Sequence, residues 1–236
     1  MIDFHTHILP HMDDGSGSVE ESIAMLRAEA ALGITDVILT PHYYADENSP
    51  TEFLARRARS WENLAPHLTE ELPRVHLGAE VQYFEGISAV KDIRSLQIGE
   101  TQLMLLEMPF CRWTDRMVDD VLALNELPDN RIVLAHIERY LDMQMPGICA
   151  ELKNCGILIQ TNVSYFANWR TRYRAMRMLS RGEIDFLGSD CHNMSYRRPN
   201  WDRLPGKAWE RVNNGEACKA LAERLASNSG DRYMKK

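Results

Sequence analysis

The amino-terminal run Met1-Ile2-Asp3-Phe4-His5-Thr6-His7 constrains this chain more than any other stretch. Ile2 and Phe4 alternate with Asp3 as in a short strand, and His5 and His7 continue the two-residue period. Histidines so spaced on extended backbone share a face, which brings both imidazoles within reach of one metal ion. Six later segments repeat the plan: a short apolar run stops abruptly at His, Asp, Glu or another polar residue. The pattern predicts parallel strands that deliver ligands to one end of a barrel.

The remaining strands are expected at Ile34 to Thr40, Arg74 to Val81, Leu103 to Leu106, Arg131 to Ala135, Ile157 to Asn162 and Ile184 to Gly188. Helical stretches separate them. Ser18 and Glu21 read as a capping box that opens a helix ending near Gly33. Others are expected from Thr51 to His67, Ile87 to Ser95, Asp115 to Leu124, Leu141 to Cys155 with an interruption at Pro146 and Gly147, and Arg170 to Arg181, with a closing pair at Pro205 to Val212 and Glu216 to Ala226. Alternating strands and helices give right-handed βαβ units and a parallel sheet. Polar groups at every strand end suit a closed barrel, since an open sheet gathers its site at one switch point. The expected fold is a single-domain α/β protein, a distorted (β/α)7 barrel over residues 1–226, with a polar, frayed tail over 227–236.

Composition narrows the function. A net charge of −7 argues against a general nucleic-acid binder, which needs a basic face for phosphate backbones. No apolar run approaches the ~20 residues of a membrane span, and no basic region precedes a greasy segment at the amino terminus. Five cysteines, odd in number and without paired spacing, suit reduced thiols. A cytoplasmic protein without membrane insertion is expected.

The candidate metal ligands are His5, His7, Asp14, His42, Glu80, Glu107, His136, Asp190 and His192. Mixed imidazole and carboxylate ligands favour Zn, Mn or Fe. Nine ligands exceed one coordination shell, which implies two or three ions, and a carboxylate such as Glu80 can bridge two of them. Adjacent ions ~3.5–4 Å apart can hold a hydroxide and clamp the oxygens of a phosphoryl group. Asp13 reads as a turn acid or as one that orients a ligand. Arg56, Arg57 and Arg59 read as a solvated helix face. Tyr43, Tyr44, Phe110, Tyr165 and Trp169, just beyond strands, either line a cleft or pack its rim.

Several of these pieces together resemble a known family: Met-Ile-Asp-Phe-His-Thr-His at 1–7, Met-Asp-Asp-Gly at 12–15, Thr-Pro-His at 40–42, Gly-Ala-Glu at 78–80, His-Ile-Glu-Arg-Tyr at 136–140 and Ser-Asp-Cys-His-Asn at 189–193. The chain is similar to the PHP superfamily and, within it, to the bacterial manganese-dependent tyrosine phosphatases of capsule and exopolysaccharide gene clusters. The resemblance implies a seven-stranded β/α barrel and three divalent ions, with Mn first and Fe, Zn or Co as alternatives. It assigns His5, His7, Glu80 and Asp190 to one ion, Glu80, Glu107 and His136 to the second, and Asp14, His42 and His192 to the third. Many PHP proteins carry His where Glu107 stands. Arg139 matches the family's phosphate-binding arginine. A second such arginine is Arg197, by its spacing from Asp190, or Arg198, by the proline after it. The implied reaction is direct attack of a metal-bound hydroxide on phosphotyrosine. The implied partner is the phosphotyrosine tail of a bacterial tyrosine kinase and polysaccharide co-polymerase.

Other classes compete. Cys191 and Arg197 have the Cys-x5-Arg spacing of cysteine-dependent phosphatases, but the five residues between them lack the glycine that such a phosphate loop needs. A PHP phosphatase of histidinol phosphate or another small monoester would share nearly every ligand. Metal amidohydrolases also begin with His-x-His but usually place a modified Lys where Glu107 stands. A non-enzymatic metal-binding scaffold would tolerate gaps in the ligand set, and none is seen.

Overall fold

The computed structural model describes residues 1–228. Nine strands run in chain order: β1 (Ile2–Thr6), β2 (Asp36–Leu39), β3 (His42–Tyr43), β4 (Arg74–Leu77), β5 (Glu80–Gln82), β6 (Leu103–Glu107), β7 (Arg131–Leu134), β8 (Leu158–Asn162) and β9 (Phe186–Gly188). The helices are α1 (Val19–Ala31), α2 (Pro50–Leu64), α3 (Asp115–Asn125), α4 (Ile148–Asn154), α5 (Val163–Ala167), α6 (Arg172–Ser180), α7 (Gly206–Asn213) and α8 (Glu216–Asn228). All the strand pairings are parallel, in the orders β1-β2-β4 and β3-β5-β6-β7-β8-β9. The sheet curls until its last strand meets its first: His7 N donates to Cys191 O at 2.9 Å, and Asp190 N to His5 O at 2.9 Å. The result is a mixed α/β domain on a curled parallel sheet. No helix among the described residues is long and apolar enough to cross a membrane.

Two of the expected strands are interrupted at the same level. Pro41, which has no N–H to give a ladder, separates β2 from β3, and Gly78-Ala79 separate β4 from β5. A Cβ at Gly78 would sit 2.9 Å from Ile98 Cγ1, so glycine lets the segment before β6 pack against this break. Beyond the break, His42 pairs in register with Glu80.

Alternation sorts the strand residues between two cores. Val37, Leu39, Met104, Leu106, Ile132, Leu134 and Ile159 face the surrounding helices. Phe4, Ile38, Leu103, Leu105, Val133, Leu158 and Phe186 fill the interior, where Cys218, Leu221 and Leu225 of α8 join them. Phe4 and Phe186 stack with centroids 4.2 Å apart, and each large side chain so buried contributes roughly 1.5–3 kcal/mol. On the first strand, simple alternation fails. The β1–β2 register slips between Asp3 and Thr6, and the neighbours Phe4 and His5 both serve the interior.

Several local expectations need correction. Ser18 Oγ accepts the Glu21 N–H, but the Glu21 carboxylate takes the N–H of Gly17, leaving that box half formed. The complete box stands at Ser49 and Glu52, with Pro50 opening α2. The expected interruption at Pro146 and a left-handed Gly147 stands, but α-helix forms only after it, at Ile148–Asn154, and not from Leu141. Ile87 to Ser95 breaks into two 3-10 turns around a left-handed Asp92. The short helix α5, which leaves β8 directly, was not expected. Ser227 and Asn228 extend α8, and the rest of the expected tail, 229–236, lies outside the described residues. Of the arginines on α2, Arg59 is exposed as expected, but Arg56 Nη2 donates to Met12 O at 2.9 Å and Arg57 Nη1 to Gly78 O at 2.6 Å, holding a loop and a strand break.

At the end of the sheet away from the strand C-termini, Asp36 carries a polar cluster. Its carboxylate accepts two guanidinium bonds from Arg74 at 2.8 Å, lies 3.0 Å from His76 Nε2 and accepts from Thr35 Oγ1. Burial pushes this carboxyl up, but the bonds from His76, Arg74 and Thr35 outweigh it and hold the group below the usual carboxylate range. A depressed folded-state pKa stabilises the fold above the unfolded value of ~3.9, and that stabilisation fades as pH falls through the folded value. Asp36→Asn is therefore expected to lower unfolding free energy by ~1–3 kcal/mol at pH 7, with the deficit shrinking at pH 3. Urea melts of both proteins at the two pH values measure this, and an equal deficit at both would sink it.

Candidate metal centre

The interior changes character along each strand. Leu103 and Leu105 lead to Glu107 on β6, and Leu158 leads to Gln160 and Asn162 on β8. On β9, Phe186 leads through Gly188 to Asp190 beyond its end. A floor of apolar side chains thus carries a polar mouth at the strand C-termini, the end where β/α barrels place their sites.

All nine candidate ligands lie at this mouth, and Glu80 is at its centre. Its Oε2 lies 3.0 Å from His5 Nε2, 3.2 Å from His7 Nε2 and 3.1 Å from His42 Nδ1, while Oε1 lies 2.8 Å from His136 Nε2. Asp190 Oδ1 stands 3.5 Å from His7 Nε2 and 3.6 Å from His192 Nδ1. Glu107 Oε1 is 3.4 Å from His136 Nε2, and Asp14 Oδ1 is 3.3 Å from His192 Nε2 and 3.7 Å from His42 Nε2. Four overlapping sets of donors emerge: His7, Asp14, His42 and His192; His5, His7 and Asp190; His5, Glu80 and His136; and His42, Glu80 and Glu107.

These residues fit divalent ions. Ligand atoms bound at ~2.1 Å around one ion sit ~3–3.6 Å from each other, close to the separations above. His42 Nδ1 and His192 Nε2 are buried and form no well-aligned hydrogen bond, although carboxylate oxygens of Glu80 and Asp14 lie 3.1 and 3.3 Å away and buried ring nitrogens are normally satisfied. A ligand's lone pair aimed at a cation explains both.

The charges tell the same story. Glu80 is buried, which raises its pKa, but the charges and hydrogen bonds of the surrounding imidazoles drive it well below the carboxylate range. Burial lowers His7, yet Asp13 and Glu80 overcome that and push it up to about 10. His136 reaches about 9 against the same burial, through Glu107 and Glu80. His192 goes down to about 4, by burial and the neighbouring His7 charge. Buried carboxylates here demand positive charge, and protons supply it wherever cations do not.

A supporting set holds the ligands. Asp13 Oδ2 lies 2.7 Å from His7 Nδ1 and accepts the His42 N–H at 2.8 Å, fixing a ring and a strand at once. Gln160 Oε1 accepts the His136 N–H at 2.6 Å and faces His5 Nδ1 at 3.4 Å. Asn162 Nδ2 donates to Asp190 Oδ2 at 2.8 Å, and Tyr140 Oη lies 3.3 Å from His136 Nδ1. Sequence reasoning missed Gln160 and Asn162 as supports; their signal was two amides facing inward from an otherwise apolar strand. Gly188 permits the packing, since a Cβ there would meet His5 Cβ at 2.6 Å. His136 and Asp190 both have positive φ, 29° and 53°, backbone strain that aims two side chains into the mouth.

The arginines separate cleanly. Arg197 Nη2 donates to Asp190 Oδ1 at 2.7 Å, and Arg139 Nη2 bonds Asp190 Oδ2. Asn193 Oδ1 accepts the N–H groups of Ser195, Tyr196 and Arg197, which fixes the loop that presents Arg197. Arg198 is exposed and has no ion pair with any of the nine ligands, although it lines the same cavity as Arg139 and Arg197. Cys191 is buried, its thiol pushed up by burial and by Glu29, whose carboxylate it faces at 3.8 Å. A thiolate nucleophile has no support there. Of the aromatics, Tyr43 packs on Phe53 in the core, Tyr44 stacks on His42, and Phe110 and Trp169 are exposed.

The comparisons with known proteins agree. The tyrosine-protein phosphatase YwqE of Bacillus subtilis is 30% identical over 207 residues, covering 84% of this chain and 79% of that protein. The tyrosine-protein phosphatase CpsB of Streptococcus agalactiae is 27% identical over 214 residues, covering 84% and 86%. A structure from a study of YwqE from Bacillus subtilis and CpsB from Streptococcus pneumoniae, described as metal-dependent tyrosine phosphatases, superposes with a TM-score of 0.74 at 25% identity, covering 96% and 93% of the two chains. Residues 1–224 match the family described as capsular polysaccharide synthesis, CpsB/CapC, and the chain belongs to that family.

Proposed function

We propose that this chain is a metal-dependent protein-tyrosine phosphatase that acts in polysaccharide synthesis, on the phosphotyrosine tail of a bacterial tyrosine kinase in the cytoplasm. Its domain is taken as residues 1–226. The fold is a distorted seven-stranded barrel in this reading, supported by the β9–β1 hydrogen bonds and by the two interrupted strands. The observation that carries the reading is the pair of guanidinia, Arg139 and Arg197, meeting on Asp190 at the rim of nine convergent donors.

His5, His7, Glu80 and Asp190 would hold one ion, Glu80, Glu107 and His136 a second, and Asp14, His42 and His192 a third. Support for sharing comes from Glu80, whose two oxygens face different histidines. Bound divalent ions, Mn foremost, would supply a lowered pKa for water and neutralise phosphoryl oxygens. The chain's own residues do the rest. Arg139 and Arg197 offer planar forks that suit a phosphate dianion and the charge that grows on its equatorial oxygens. Asp13 and Gln160 orient His7 and His5, and Asn162 holds the Asp190 carboxylate. The tyrosyl leaving oxygen has a pKa near ~10, so its departure needs modest assistance.

Chelated enzyme is expected to lose turnover of a phosphotyrosyl peptide and to regain it with Mn, Fe, Co or Zn. His136→Ala should abolish turnover, Arg139→Ala and Arg197→Ala should each lower kcat/KM by about 10²–10³-fold, and Cys191→Ser should retain activity. Activity indifferent to chelation and to His136→Ala ends the proposal, while a far higher kcat/KM for histidinol phosphate transfers it to small monoesters. Calorimetry gives a second check. His7 and His136, raised to about 10 and 9, carry protons at pH 7 that a bound ion must displace. Divalent-ion binding should release protons, seen by comparing buffers of different ionisation enthalpy, and affinity should rise from pH 6 to pH 8.

A further inference from the structure

Behind the metal centre lies a fully buried carboxylate that the chemistry above does not use. Asp3 makes no ion pair among the described residues and collects N–H donors instead. Its Oδ1 accepts the His5 N–H at 3.2 Å and the Ser189 N–H at 2.9 Å, and its Oδ2 accepts the Trp201 indole N–H at 3.0 Å. The donors come from three places: β1, the residue after β9, and a 3-10 turn at Trp201–Arg203.

Ser189 and Trp201 flank a single loop, and between them stand the ligands Asp190 and His192 and the guanidinium of Arg197. One carboxylate therefore ties both ends of that loop to the backbone of a further ligand, His5. Within the loop, His192 N donates to Arg197 O at 2.8 Å and Asn193 Oδ1 accepts the Arg197 N–H, so a shift of either end carries Arg197 with it. Trp201 is buried and meets Trp209 of α7 edge-on, with centroids 5.7 Å apart, which leaves its indole one direction to point.

Glu29 of α1 completes the group. It is fully buried against Asp3, with Oε2 lacking any N–H or O–H donor and Cys191 Sγ 3.8 Å from Oε1. Burial raises both carboxyls, and two acids in contact hold one proton between them. Three N–H donors favour the charge on Asp3, which leaves the proton on Glu29 as a fourth donor to the same carboxylate.

We propose that Asp3 and Trp201 are positioning residues, whose hydrogen bond sets where Arg197 stands relative to the metal centre and so how firmly the phosphoryl group is held. The two oxygens of Asp3 divide the work: Oδ1 serves the segments that carry ligands, and Oδ2 serves the far end of the arginine loop. The inference rests on the phosphatase reading above for the role of Arg197.

The test uses the full chain loaded with Mn. It reads inhibition by inorganic phosphate, kcat and KM for p-nitrophenyl phosphate, and Mn affinity by calorimetry. Trp201→Phe removes only the bond to Oδ2, and should weaken phosphate inhibition and lower kcat/KM about tenfold while Mn affinity stays within about twofold. In an Arg197→Ala background the same substitution should cost nothing further, because Trp201 acts through that guanidinium. Asp3→Asn keeps an oxygen for His5 and Ser189 but turns an amide N–H toward the indole. It should reproduce the phosphate effect, with no added loss when combined with Trp201→Phe, and it carries the test if Trp201→Phe does not fold. Equal losses with and without Arg197, unchanged phosphate inhibition in the single variants, or a matching loss of Mn affinity overturns the positioning role and leaves the phosphatase reading intact. A wild-type protein that neither turns over phosphate esters nor responds to phosphate overturns both.

Discussion

Glu80 is a carboxylate with 1% exposure, buried at the focus of four imidazoles, and the rest of the mouth is arranged around that fact. An isolated buried carboxylate is too costly to keep ionised, so its neighbours must be cationic. Histidines alone meet this demand only by taking protons, at the cost of crowding like charges: His5 and His7 bring Nε2 atoms within 3.1 Å of each other. Divalent ions resolve the conflict, because they turn mutually repelling rings into common ligands. The apolar floor beneath makes the demand sharper by keeping water away from that side.

How the chain builds this arrangement was largely visible beforehand. A two-residue period moves each inward face from leucine to ligand, and that period survives in β6 and β8, where Leu103, Leu105 and Glu107, or Leu158, Gln160 and Asn162, share one wall. Long apolar runs with abrupt polar stops therefore revealed both the parallel sheet and its functional end. The first strand was legible for the wrong reason. Its histidines do converge, but through a register slip that strict alternation does not anticipate.

What stayed hidden depends on contacts between segments distant in sequence. Nothing near Arg56 reveals that it will meet the Met12 carbonyl, and nothing near Gln160 reveals that His136 lies 2.6 Å away. In the loop after β9, the Asn193 side chain accepts the Arg197 N–H and the Arg197 guanidinium turns to Asp190, a contact that spacing alone does not reveal.

A ring of histidines and acids is generic hydrolytic equipment, and fold or metal content alone says little about the substrate. Discrimination has to come from what surrounds the centre. Here the loops after β7 and β9 contribute Arg139 and Arg197, which stand 4.0 Å from Glu107 and 3.9 Å from Asp14. A dianionic ester approaching this mouth meets guanidinia at its edge as well as the ligands within. The ligands are left to meet the requirements of the ions, while the arginines at the rim set what is brought to them.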